Sequence, residues 1–175
     1  MPGKTATVDG GKFPTGWLER PADVAEVLGF LNRPYFGVEA KASHIEDSGK
    51  GKCVLLYKAL FQVYPNYKTH EQTIGDCVSH CWSSAVDLLK AVQIVAGARE
   101  RFTGDTATEV VYAGSRVETG KGQSGRGDGS VGAWAAKWVK EYGTIVRGKY
   151  GDIDLTTYSG RRAQEWGMPR AGVPD

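Results

Sequence analysis

Apolar residues recur at helical spacing in two stretches of this chain. Residues 78–97 place apolar side chains every three or four positions, at Val78, Trp82, Ala85, Val86, Leu89, Val92 and Ala96. This spacing, with a glycine at its end, predicts the longest helix of the protein. Residues 131–142 repeat the pattern, carry Trp134 and Trp138 on one face and are also followed by glycine. They predict a second clear helix.

Several other segments carry weaker patterns. Residues 21–31 open with proline and acidic residues and have helical apolar spacing, which predicts a short helix. The dense apolar run at 53–61 is expected in the core as a helix or a strand, because periodicity alone does not separate the two. Residues 107–117 fit a strand or a short helix, and residues 144–146 fit a short strand. The first twenty residues are expected to form an extended arm.

The composition is that of an ordinary globular domain. The chain has 175 residues and a formal net charge of +2, so it suits one domain and does not favour a nucleic-acid partner. No run of about 18 apolar residues and no apolar segment near the start is present, so we expect no membrane span and no signal peptide. We therefore expect a soluble, cytoplasmic protein whose three cysteines are reduced thiols.

Two of these thiols, Cys77 and Cys81, stand at the start of the predicted long helix. A helix N-terminus carries a partial positive charge and free N–H groups, so it stabilises a thiolate and makes a thiol a better nucleophile. Gln72, just upstream, would add a side-chain N–H donor to the backbone N–H of the nucleophile, which together form an oxyanion hole. Small cysteines also pack in cores, so a purely structural role stays open.

Gln72, Gly75, Asp76 and Cys77 follow one another at the head of this helix. The arrangement resembles the papain-like cysteine peptidases, whose calpain branch carries Q-G-x-L-G-D-C-W. Downstream, residues 127–145 read G-D-G-S-V-G-A-W-A-A and then W-V-K-E-Y-G-T-I after one lysine. This stretch is similar to the glycine-rich loop of that family and the helix that follows it.

The resemblance implies an α+β fold that is mainly α. It would be the helical lobe of a papain-like enzyme, with a long central helix and without the β-rich second lobe. The chain would then divide into an N-terminal arm with one short helix at 1–52, a papain-like helical lobe at 53–160 and a C-terminal extension at 161–175.

The resemblance also implies a site for thiol chemistry. Cys77 would be the nucleophile because it matches the Gly-Asp-Cys motif, and Gln72 would be the oxyanion donor. Cys81 is the alternative nucleophile, because a tryptophan follows it as in the family, although one turn into the helix it is expected to pack. The substrate cleft would be lined by Gly127, Asp128, Gly129 and Trp134. The reaction would be thiolate attack on an amide, a thioester intermediate and hydrolysis by water.

The general base of this reaction has no evident source in the sequence. The family takes a histidine and an asparagine from its β-rich lobe, whereas the histidines here are His44, His70 and His80. His70 is expected in a surface loop, and His80 would reach Cys77 only along the helix. We therefore expect a peptide substrate and a partner, either a second polypeptide carrying a histidine and asparagine lobe or another copy of this chain.

A different function class is a structural or binding module, such as a virion or assembly component, because the family's lobe is reused in phage and bacterial proteins. The glycine-rich ends of the chain would suit such a role, and the protein would then be virion-associated. No cofactor is expected. Cys77, His80 and Cys81 have helical spacing that could serve a metal together with His70, but structural zinc usually joins two separate knuckles, so no metal is expected.

Overall fold

The computed structural model describes residues 5–8, 11–14, 20–30 and 55–174. Their helices and strands are α1 (Pro21–Phe30), α2 (Leu56–Val63), α3 (Cys77–Val95), α4 (Thr108–Gly114), α5 (Gly132–Tyr142), α6 (Gly160–Trp166), β1 (Thr5–Val8), β2 (Gly11–Pro14), β3 (Lys149–Tyr150) and β4 (Ile153–Asp154). The strands form two short antiparallel pairs, β1 with β2 and β3 with β4. The described chain is therefore α+β and mainly α, as predicted.

Helices α3, α4 and α5 pack around the main hydrophobic core. Its buried members are Val78, Ala107, Val110, Val111, Ala135, Trp138 and Leu155. Helices α4 and α5 approach closely because Gly114 has no side chain: a Cβ there would lie 2.2 Å from Cδ2 of Trp138. A larger residue at position 114 would force the two helices apart.

Helix α4 continues into a π-helical turn, Ser115–Thr119, in which the N–H of Gly120 donates to the carbonyl of Ser115 at 3.0 Å. Such turns insert an extra residue into a helix and often occur at functional sites. This one carries Arg116 into the interior, where the residue is only 2% exposed.

Helix α6 starts after Ser159, whose hydroxyl accepts a hydrogen bond from the N–H of Arg162 at 3.2 Å. Its Ala163 is fully buried, and the helix packs on α4. The residues from 161 onward, predicted as an extension, thus contribute to the same core.

The structure confirms the helices predicted at 21–31, 78–97 and 131–142, with small shifts at their ends. Residues 107–117 are helical through α4 and the turn after it. The short strand predicted at 144–146 is wrong, because the structure has there an isolated bridge between Thr106 and Val146. The ladder cannot extend, since the chain enters α4 two residues after Thr106.

The expectation that the apolar run at 53–61 is core is wrong for its described part. Four large residues are 40–51% exposed, namely Leu55, Leu56, Tyr57 and Phe61. Within residues 55–61, Leu60 alone is buried, at 3% exposure. Helix α2 packs on α3, and a helix with one neighbour buries only one stripe of its surface.

The predicted N-terminal arm contains the hairpin of β1 and β2, in which Thr5 pairs with Pro14 and Val8 with Gly11. The other residues of the arm before 20, together with His44 and Cys53, lie outside the described residues. Among the helices that are described, none is both long enough and apolar enough to cross a membrane.

Candidate functional site

Cys77 is the first residue of α3. It lies at a junction that we call the α3 entrance, formed by residues 75–77 and the side chain of Asp128. The thiol is free and half-buried, and it packs against the edge of the main core. A nucleophile here would have one side against protein and one side open to a substrate.

The residue before the helix, Asp76, is fully buried. Its carboxylate does not cap α3. Instead, its Oδ2 accepts a hydrogen bond from the hydroxyl of Tyr158 at 2.8 Å, and Nε2 of His80 lies 3.3 Å from the same oxygen. Burial, followed by the adjacent Asp76 carboxylate, raises the pKa of Tyr158 to about 12. This hydroxyl therefore stays a donor at neutral pH and ties the α3 entrance to the C-terminal region.

Because Asp76 turns away, the first turn of α3 keeps free backbone donors. The N–H groups of Ser79 and His80 donate to the carbonyl of Asp76 at 3.0 and 3.2 Å. Within the described residues, the N–H groups of Cys77 and Val78 have no acceptor. Two adjacent free N–H groups at a helix N-terminus are the donors that an oxyanion hole requires.

The glycine-rich loop beside this entrance, residues 120–132, is held from inside by Arg116. The guanidinium group donates to four backbone carbonyls, those of Gly125 at 2.9 Å, Gly127 at 2.6 Å, Gly129 and Gly167 at 2.9 Å. Gly125 and Gly129 have φ of +64° and +101°, a backbone conformation that favours glycine and turns their carbonyls toward the cation. The shape of the loop is therefore fixed by hydrogen bonds to a buried arginine instead of by apolar packing.

Tyr112 supports the same loop from α4. Its hydroxyl accepts a hydrogen bond from the N–H of Gly129 at 3.3 Å, and the guanidinium carbon of Arg116 lies 5.0 Å from the centre of its ring. Burial raises the pKa of Tyr112 to about 12. The side chain of Asp128 reaches across to the α3 entrance, where Oδ2 accepts from the N–H of Gly75 at 3.4 Å.

A polar cleft of about 280 Å³ runs along α3 one turn past the entrance. Its lining combines the segment before α3, one face of α3 and the start of α4: Tyr67, Lys68, Thr69, His70, Gln72, His80, Cys81, Ser83, Ser84, Asp87, Asp105, Thr106 and Thr108. Asp87 is buried and accepts from the N–H and hydroxyl of Thr106 at 3.0 and 2.7 Å. Burial raises the pKa of this carboxyl despite both bonds.

Two lining residues of the polar cleft, His70 and Asp105, belong to an ion-pair network around Arg147. The guanidinium group contacts Asp105 at 3.0 Å and Glu109 at 3.1 Å, and Glu109 is fully buried. Nε2 of His70 lies 2.8 Å from Asp105. His70 lies in the loop before α3, as predicted, and its side chain is 30% exposed, but it is bound into this network.

The predicted site residues fall into three places: the α3 entrance, the polar cleft and, for Trp134, a small apolar cluster. Cys77 meets the glycine-rich loop through Gly75 and Asp128 at the α3 entrance, whereas Gln72, His80 and Cys81 line the polar cleft. Cys81 is exposed, so the expectation that it packs is wrong, since its helix face borders the cleft.

Gln72 and Trp134 make contacts other than those predicted for them. The Gln72 amide donates to the carbonyl of Ile74 at 2.7 Å, which supports the loop before Cys77. Trp134 packs with Val131 and Ala133, and Arg20 lies 5.1 Å from the centre of its ring. The carbonyls of Gly127 and Gly129 face Arg116, so Asp128 is the side chain that the loop presents to the entrance.

Sequence reasoning missed Arg116, Tyr112 and Tyr158. The first two lie four residues apart on α4 and its extension, a helical spacing that places them on one face. That spacing was a usable signal for a shared role. Nothing local indicated Tyr158, because its partner Asp76 is 82 residues away.

Within residues 20–30 and 55–174, no histidine makes a hydrogen bond with either thiol. The same described residues contain no group of three or more histidine, cysteine or acidic side chains that could hold a metal ion. No family model matches this chain, and neither a curated protein nor a solved structure matches it.

Proposed function

We propose that this chain is a papain-like cysteine peptidase or amidase lobe that performs acyl transfer through Cys77 and takes its imidazole from a second lobe or partner chain. One observation carries the proposal: the Cys77 thiol stands at the start of α3 beside two backbone N–H groups that have no acceptor among the described residues. The rigid glycine-rich loop next to it supports the same reading, because a substrate chain needs a fixed wall.

In the proposed reaction, the Cys77 thiolate attacks the carbonyl carbon of an amide. The carbonyl oxygen becomes an oxyanion and accepts hydrogen bonds from the free N–H groups of Cys77 and Val78. The amine leaves with a proton from an imidazolium, and water then hydrolyses the thioester. Asp76 precedes Cys77 in the chain and Asp128 bonds the N–H of Gly75, so a cationic imidazolium at the α3 entrance would also balance negative charge.

Cys81 is the second candidate nucleophile. It is exposed and lines the polar cleft together with Gln72 and His80. It lies a full turn inside α3, however, where backbone N–H groups are already bonded within the helix.

A structural or binding module is the alternative function. It is supported by an apolar groove of about 720 Å³ whose lining includes Trp138, Tyr142, Tyr150 and Trp166. Large apolar grooves are typical of surfaces that bind other molecules. A module of this kind needs no reactive thiol, so the test of Cys77 also separates the two functions.

The test uses an N-acetyl amino acid p-nitrophenyl ester, because nitrophenolate leaves without a proton and the reaction needs no imidazole. All proteins carry Cys53→Ser. We expect Cys77→Ser to slow nitrophenolate release by about tenfold or more, while Cys81→Ser, the matched control, stays within about twofold. Intact mass and peptide mapping should find the acyl group on residue 77.

If Cys81→Ser loses the reaction while Cys77→Ser keeps it, the nucleophile is Cys81 in the polar cleft. Equal slow release from both variants, at the rate of a free thiol in solution, would refute acyl transfer and favour the binding module.

A further inference from the structure

Asp128 is an acidic side chain whose only partners in the described structure are weak. Its Oδ2 accepts from the N–H of Gly75 at 3.4 Å, and its Oδ1 accepts from the side-chain amide of Gln164 at 3.5 Å. Both distances exceed the usual range for such bonds. In the part of the chain that the structure describes, it forms no ion pair. The residue is half-buried, so a ligand can reach it.

The nearest buried cation does not neutralise this carboxylate. Arg116 is committed to backbone carbonyls, including those of Gly127 and Gly129 on either side of Asp128. It therefore fixes the loop while its donors point into the protein. Asp76 adds negative charge close by, but it is fully buried and already bonded to Tyr158. The accessible charge at the α3 entrance is therefore the carboxylate of Asp128.

Its position beside the backbone two residues before Cys77 suits recognition of a substrate side chain. Asp128 touches the N–H of Gly75, and consecutive Cα atoms are about 3.8 Å apart, so Gly75 lies within about 8 Å of Cys77. A lysine or arginine side chain of a bound peptide spans a similar length. Its cation would reach the carboxylate while the amide next to it lies at the thiol.

We propose that Asp128 selects substrates with a lysine or arginine side chain next to the amide that Cys77 attacks. The proposal rests on the proposed function, because it names the substrate class of the same site. Binding would replace two long hydrogen bonds with a charge-assisted one, which is shorter and stronger. An acidic residue at that position of the substrate would be repelled.

The test measures charge preference at the thiol without any acyl transfer. Single-thiol proteins retain either Cys77 (Cys53→Ser with Cys81→Ser) or Cys81 (Cys53→Ser with Cys77→Ser). Each reacts with 2-(trimethylammonio)ethyl methanethiosulfonate, a cation, and with 2-sulfonatoethyl methanethiosulfonate, an anion. Intact mass follows the rates. At low ionic strength, Asp128→Asn should lower the cation-to-anion rate ratio at Cys77 by about two- to fourfold, since a unit charge roughly 10 Å from the thiol changes each rate by up to about twofold.

Two controls accompany this measurement. Asp152→Asn removes the same charge from the exposed turn between β3 and β4 and should leave the ratio at Cys77 unchanged. The ratio at Cys81 should change much less with Asp128→Asn than the ratio at Cys77. If Asp128→Asn does not fold by circular dichroism, Asp128→Ser replaces it, because its hydroxyl can still accept from Gly75.

An unchanged ratio at Cys77 in Asp128→Asn would overturn the proposal, as would failure of Cys77 to react with either reagent. Both results are independent of nitrophenolate release. Substrate selection can therefore fail while acyl transfer stands, and acyl transfer can fail while the charge preference is observed.

Discussion

The side chains of Arg116 and Arg147 are both buried but are held by opposite kinds of partner. Arg116 is 2% exposed and donates to backbone carbonyls of the glycine-rich loop and Gly167. The side chain of Arg147 is 4% exposed and contacts the carboxylates of Asp105 and Glu109. The first cation shapes a loop, whereas the second neutralises buried negative charge at the wall of the polar cleft.

Because their partners differ, the two arginines are expected to affect different properties, the order of one loop in the first case and the stability of the whole fold in the second. A carbonyl that loses a donor on a surface loop can be hydrated, because the loop can open toward water. A fully buried carboxylate that loses its cation cannot be hydrated unless the protein partly unfolds. We therefore expect the Arg147 region to stabilise the whole fold and the Arg116 region to control the shape of the α3 entrance.

The largest effect is expected from Arg147→Met. It leaves the fully buried Glu109 with the N–H of Ser159 at 2.8 Å as a remaining donor, so the free energy of unfolding should fall by about 3–5 kcal/mol. Urea unfolding measures it. Adding Glu109→Gln to Arg147→Met should recover part of the loss, because it removes the stranded charge. A double variant no more stable than Arg147→Met would contradict the charge argument.

A smaller effect is expected from Arg116→Met. It removes the hydrogen bonds to the loop carbonyls and should lower the free energy of unfolding by about 2–3 kcal/mol. Amide hydrogen exchange should accelerate mainly in residues 120–130, with the Arg147 network still protected. Uniformly faster exchange throughout α3 and α4 would show that the two arginines do not differ in kind.

The smallest effect concerns Tyr112, which lies under the Arg116 guanidinium. Its pKa is raised to about 12 by burial, above the value near 10 of an unfolded chain. The folded state therefore holds this proton more tightly, and the stability it contributes is fully present below pH 10 and lost as the pH rises to 12. Unfolding monitored from pH 9 to 12 should show a shallower decline in Tyr112→Phe than in the unsubstituted protein.

Tyr158→Phe is the comparison variant. The pKa of Tyr158 is also raised to about 12, but its hydroxyl bonds Asp76 and does not contact the loop. Absorbance at alkaline pH should show one late-titrating phenol fewer in each variant. Ionisation of Tyr112 near pH 10 would mean that the region around Arg116 is open to water.

Much of the local structure could be predicted from the sequence. The spacing of apolar residues identified α3 and α5, because a helix repeats every 3.6 residues whatever surrounds it. The same spacing placed Cys77 at the head of the longest helix, and glycine content identified the loop after residue 120. Periodicity says which face of a helix is apolar but does not say what covers it, so the exposure of most of α2 could not be predicted.

The sequence by itself determined helices α1, α3 and α5, the position of Cys77 at a helix N-terminus and the place of the glycine-rich segment, because these depend on neighbours within a few residues. Only the tertiary structure decided that Arg116 holds that segment, that Asp128 meets Gly75 and that Asp76 leaves α3 uncapped for Tyr158. Asp128 and Gly75 are far apart in the chain, as are Asp76 and Tyr158. Arg116 bonds backbone carbonyls, which every residue has, so the sequence does not mark its partners. Which residues pair by charge or hydrogen bonding depends on their proximity in the folded chain, and a local sequence pattern does not encode that proximity.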